Sequence, residues 1–130
     1  MSVTPTYFGT PLAGSALVPA TAETSYTNPT HVATVVTAGT NGSRIEEVHF
    51  VGTGITLTGI VQLFLFDGTN YRIDYPQTIS AVTPSQSVPT APFFQAVEFD
   101  NLLLPTGWSL VAASFVPNQL INVLAFGGSA

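Results

Sequence analysis

Two residues of this chain have the types and spacing for acid–base work. Glu47 and His49, in "EEVHF", stand two apart, so on a β-strand both project from one face. A carboxylate beside an imidazole can orient a general base or supply half of a metal site. The spacing implies no third ligand, and the wet face of a strand is where such residues belong, so a surface pair near Thr34 is the expectation. "DGTN" (67–70) offers Asp67 and Asn70, with Asp74 nearby, as oxygen ligands, but lacks the later bidentate glutamate of a calcium loop. Asp, Gly and Asn are also ordinary turn residues. "GTGITLTG" (52–59) spaces its glycines like a nucleotide loop, yet it precedes a strand, and no helix N-terminus awaits a phosphate. "NGS" (41–43) matches the glycosylation triplet and, without a secretion signal, reads as a turn. GxSxG, HExxH and P-loop patterns do not occur. Trp108 could stack on a sugar ring, but a single tryptophan in a small β-domain is more often core. The expectation is no enzyme, no cofactor and no metal.

Composition narrows the remaining classes. Charged residues are 7% of the chain, against about 25% in an average protein. Lysine is absent, and Arg44 and Arg72 are the only strong cations. With a net charge of −5 and no basic cluster, contact with nucleic-acid phosphates is not expected. Hydrophobic residues are 45% and the mean hydropathy is +0.40, but no run approaches the ~18 apolar residues of a membrane span. Without cysteine there are no disulfides, thiolate nucleophiles or Cys-based zinc sites. The opening "MSVTPTYFGTPL" lacks the basic and apolar regions of a Sec-type signal, so a protein made and assembled inside a cell is expected. A soluble chain this poor in charge is expected to hide surface against other subunits.

The elements that must position these residues are strands. Residues 1–30 carry Pro5, Pro11, Pro19 and Pro29 among many Ser, Thr and Ala, which disfavours a helix or a central strand. They read as an extended arm with Tyr7, Phe8, Leu12, Leu17 and Tyr26 as apolar anchors, preceding a single domain over 31–130. Asn41-Gly42 suggests a two-residue hairpin turn. That turn would set Val35 against Val48, Ala33 against Phe50, Thr34 against His49 and Val36 against Glu47. Ala33, Val35, Val48 and Phe50 then form a core face. In "VQLFLFDGTNYRIDY" (61–75), a second hairpin sets Phe66 against Tyr71. Its aromatic face, Phe64, Phe66, Tyr71, Ile73 and Tyr75, reads as core. The opposite face holds Val61, Leu63 and Leu65, bordered by an Arg72–Asp74 ion pair, and is expected to pack on a neighbour or under the chain's own arm or loops. "ISAVTPSQSVPTAP" is long enough to cross between sheets. Further strands lie in "FFQAVEFD", "WSLVAASF" and "LINVLAFGG", with Trp108, Leu110 and Ala112 on one face. The fold class is all-β: an antiparallel β-sandwich, jelly-roll or Greek-key like, of about seven to eight strands.

At "LFLFDGTNYRIDYPQTISAVTPS", "LLLPTGWSLVAAS" and "INVLAFGG" the chain resembles small virion structural proteins of tailed bacteriophages, of the head decoration or cement type. The resemblance covers roughly residues 45–128 and rests on turns and strands, with no catalytic residue to carry over. It implies a β-rich module on the capsid exterior, assembled in the host cytoplasm. The partners would be the major capsid protein and its own copies, as dimers or trimers. Expected interface residues are Tyr7, Phe8, Leu12, Leu17, Tyr26, Val61, Leu63, Leu65, Arg72 and Asp74. The alternative is a tail or fibre component whose Trp108, Tyr71 or Tyr75 reaches a host glycan.

Overall fold

A computed structural model describes residues 10–129. Tyr7 and Phe8 lie outside them. Eight strands run in order: β1 (Thr10–Leu17), β2 (Ala33–Thr37), β3 (Ser43–Gly52), β4 (Gly59–Phe66), β5 (Tyr71–Ile79), β6 (Phe94–Leu104), β7 (Ser109–Ser114) and β8 (Ile121–Ser129). They form two four-stranded antiparallel sheets, β1-β8-β3-β6 and β2-β7-β4-β5. The pairing is nested: β4 with β5, β3 with β6, β2 with β7, β1 with β8. A long two-stranded ribbon with its tip at the β4–β5 hairpin has been rolled up, and the β3–β8 and β4–β7 contacts close the roll. This is a jelly-roll sandwich.

The nesting corrects the expected β2–β3 hairpin. The turn is real, with Gly42 donating its N–H to the Gly39 carbonyl at 3.0 Å and taking φ +84°. It nevertheless leads from one sheet to the other: β2 pairs β7, while β3 lies between β6 and β8. Val35, Val48 and Phe50 are buried as expected, because both strands face the same core from opposite sides. Val36, expected wet, is buried too, since an irregularity between Thr34 and Val36 turns two successive valines inward. Thr34 therefore lies on the other sheet from His49.

The β4–β5 hairpin keeps Phe66 opposite Tyr71, then slips. Leu63 pairs with Tyr75 and Phe64 with Ile73, leaving Asp74 as the extra residue of a bulge. The face assignment is reversed from the expected one. Val61 and Leu63 are fully buried between the sheets with Val48, Phe50, Leu110 and Val123, and Leu65 packs against them half-buried. The bulge swings Tyr75 onto this inner side, where its ring meets Phe99 edge-on at 5.7 Å. Phe64 lies on the outer side in a small second cluster with Val111 and Ala113, joined by Val32, Phe66, Tyr71 and Phe115.

The boundary expected at residue 30 is also moved. Residues 10–17 are extended, but as an edge strand of the sandwich rather than an arm leaving it. At Gly14 the sheets come so close that a Cβ would stand 2.2 Å from the Val35 carbonyl oxygen, so β1 closes one side of the sandwich. Val18 enters the core, and residues 18–32 return over the second cluster. Glu23 N–H donates to the Ser114 carbonyl at 2.7 Å, and Tyr26 lies on Phe115 at 4.7 Å. This segment and Phe115 are what cover the second side of β4.

Candidate functional site

The face that stays uncovered is the outer side of β1-β8-β3-β6. The strand registers lay its residues out in rows. Leu17, Asn122, Val51 and Phe94 make one row; Ser15, Leu124, His49 and Ala96 the next; Ala13, Phe126, Glu47 and Glu98 the third. Arg44 and Leu103 stand opposite each other beyond the irregularity between Ile45 and Glu47. Four large apolar residues on these strands remain open to solvent: Phe94 and Leu103 at 58% exposure, Leu17 at 51% and Phe126 at 38%. On an isolated molecule, such residues sharing one face mark an interaction surface.

Glu47 and His49 sit in the middle of it. His49 Nε2 and Glu47 Oε1 are hydrogen-bonded partners. The imidazole is flanked by Phe94, edge-on at 5.3 Å, and Phe126 at 5.0 Å. The two aromatics and the carboxylate fix the ring. A reacting partner is what the arrangement lacks, for opposite His49 stand Ala96 and Leu124. Among the described residues no three His, Cys, Asp or Glu come together to hold a metal ion. An open cleft of about 330 Å³ lies between Thr53–Gly54 and Pro84–Pro92, away from the pair, and its lining has no titratable side chain. The geometry suits a rigid docking platform.

Two other polar constellations are structural. The Asp67 carboxylate accepts the N–H groups of Thr69 at 2.9 Å and Asn70 at 2.7 Å, so "DGTN" is a turn that satisfies its own acid. Those bonds, with Arg72, hold its carboxyl below the usual aspartate range. Glu23, only 3% exposed, was not singled out by sequence reasoning. Burial pushes its carboxyl up, but the N–H groups of His31, Thr24, Ser25 and Thr30 overcome that and hold it below its ordinary value. Glu23 thereby folds residues 23–31 around itself.

The residues expected at an interface divide. Leu17 lies on the uncovered face, and Leu12, one strand face away, packs half-buried against the core. Tyr26 is half-exposed, resting on Phe115. Val61 and Leu63 are core and are not available to a partner. The Arg72–Asp74 pair does not form: Arg72 meets Asp67 at 3.3 Å and lies over the Trp108 ring at 5.8 Å. Asp74, on its bulge, has a carboxyl raised by desolvation. Of the aromatics considered for a glycan, Trp108 and Tyr75 pack against the core and Tyr71 stacks on Phe66 at 4.4 Å. Phe94, Leu103, Leu124 and Phe126 were missed. Their signal was the runs "NVLAF" and "LLL" (102–104) and the doubled "FF", apolar on both faces of a strand. No family model matches the chain, and neither does any curated protein or solved structure.

Proposed function

We propose that this chain is a structural virion protein of a tailed bacteriophage, a decoration or cement protein that lays the outer face of β1-β8-β3-β6 on the outside of the head. The observation carrying this reading is the uncovered apolar face with Leu17, Phe94, Leu103 and Phe126, whereas Phe64, Val111 and Ala113 on the outer side of the other sheet are buried under the chain's own residues, Val32 and Phe115 among them. The resemblance at "LFLFDGTNYRIDYPQTISAVTPS" supplies the virion context. A jelly roll is a scaffold of many uses and does not itself select this one.

The size of the face fits a lattice component. At about 4.8 Å between strands and 3.4 Å per residue, four strands and seven residues span roughly 450 Å². That is about half of the ~800 Å² each partner contributes to a standard interface. Only part of it is apolar, so at ~25 cal/mol per Å² of apolar surface it yields less than about 10 kcal/mol before the 4–15 kcal/mol cost of association, hence a weak single contact. Repetition over a shell, with the major capsid protein and the chain's own copies as neighbours, converts weak contacts into stable attachment.

The test is to compare heat-induced DNA release from particles with and without the protein, then add the purified chain back. Particles lacking it should open at lower temperature and regain resistance on add-back. Phe94→Ser/Leu103→Ser, folded with unchanged Tm, should fail to restore it. Equal heat resistance of both particle types overturns the reading.

A further inference from the structure

If the outer face of β1-β8-β3-β6 is the docking face, the reading on which this inference rests, its chemistry constrains the partner. Strand β6 is hydrogen-bonded only to β3, so its other edge is open to an added strand. Its outward side chains include exposed Phe94 and, four residues on, Glu98. Glu98 lies directly opposite Glu47, a like-charge cross-strand pair that weakens a sheet. Glu47 is hydrogen-bonded to His49, while among the described residues neither Glu98 nor Asp100 has an ion-pair partner. Four of the chain's seven carboxylates, Glu46, Glu47, Glu98 and Asp100, stand on β3 and β6.

A second copy cannot answer this charge. The chain has two strong cations in all, and both are engaged: Arg44 with Glu46 at 3.3 Å and Arg72 with Asp67 at 3.3 Å. Two copies meeting through β6 would bring acid to acid and, among the described residues, supply no unengaged guanidinium. The edge is thus protected against self-pairing and open to a strand of the opposite charge.

We propose that the β6 edge accepts, by strand addition, an extended segment of a different protein whose side chains on the Phe94 face, every second residue, run from apolar at one end to Lys or Arg at the other. An apolar side chain of that segment covers Phe94, and a cation four residues away meets Glu98 while the next reaches Asp100. Backbone hydrogen bonds to β6 supply orientation, and the cations discriminate among candidate strands.

The probe is a nine-residue peptide with threonine at its even positions and valine, valine, alanine, lysine and lysine at its odd ones, beside a counterpart with glutamate in place of both lysines, titrated into the full chain and followed by amide NMR. The lysine peptide should bind at least about fivefold more tightly, the gain of two partly exposed charge pairs, and shift the amides of β6. Glu98→Lys should abolish the preference, and Glu98→Lys/Asp100→Lys, both at exposed positions, should reverse it. Phe94→Ser should weaken both peptides with Tm unchanged. Equal binding of the two peptides, shifts confined to other strands, or self-association through β6 in sedimentation at high protein concentration would each overturn the proposal. Failure here leaves add-back to particles intact, and failure of add-back leaves peptide selectivity intact, so the two readings are separable.

Discussion

Truncating Leu63 to alanine separates a core stripe from a docking stripe. Leu63 is fully enclosed between the sheets, opposite Ala112 on β7 and Tyr75 on β5. Removing a buried leucine's side chain leaves a cavity and costs about 2–5 kcal/mol. With an unfolding entropy of about 2.1 cal/mol/K per residue, 130 residues give roughly 0.27 kcal/mol/K, so Tm should fall by about 7–18 °C. Phe94→Ala is the control: at 58% exposure it should cost no more than about 0.5 kcal/mol, under ~2 °C. Differential scanning calorimetry of both variants beside the wild type reads the contrast. Attachment to particles should respond in the opposite order, lost for Phe94→Ala and retained by Leu63→Ala below its own Tm. A Leu63→Ala protein with unchanged Tm and impaired attachment would refute the assignment of β4's aliphatic side to the interior.

Glu23→Ala removes the shared acceptor of four part-buried N–H donors and should destabilise by about 2 kcal/mol in urea titration. Because the folded carboxyl sits below its ordinary value of 4.5, its contribution is complete above that pH and disappears as pH falls through the lower folded value. Glu23→Gln should therefore show a shallower loss of Tm between pH 5 and roughly pH 2 than the wild type. Asp74 has the opposite sign: its carboxyl is raised by desolvation, so ionisation costs stability as pH rises past its ordinary value. Asp74→Asn should raise stability slightly at pH 7, by no more than about 0.5 kcal/mol for an exposed site, and not at pH 3. Gly14→Val drives a side chain into the Val35 carbonyl and should detach β1, read as loss of hydrogen-exchange protection along Thr10–Leu17.

Strand existence and crossing were legible because they depend on local residue pattern. "ISAVTPSQSVPTAP" does carry the chain from β5 in one sheet to β6 in the other, and "WSLVAAS" does turn Trp108, Leu110 and Ala112 to the core. Partner choice was less legible. An Asn-Gly turn announces a reversal of direction, but whether the reversal stays in one sheet depends on whether β7 or β3 takes β2, a contact some seventy residues away. The facing of "VQLFLF" failed for another reason. With apolar residues on both sides, alternation cannot say which side lies between sheets, and one inserted residue at Asp74 flips the parity of the rest of β5. The Glu47–His49 pair was found, while its aromatic flank was not, since Phe94 and Phe126 reach it from β6 and β8.

Rolling a ribbon so that Thr10–Leu17 lies along Ile121–Ser129 has a consequence for biosynthesis. On a ribosome, β1, β2 and β3 emerge with no partner yet made, and only the β4–β5 tip can zip locally. Each later strand completes an earlier one in reverse order, so the nine residues of β8, central to their sheet, are the last of the eight strands to be made. Maturation should then be slow, on the millisecond-to-second scale of non-local β-proteins, and intolerant of early release from the ribosome.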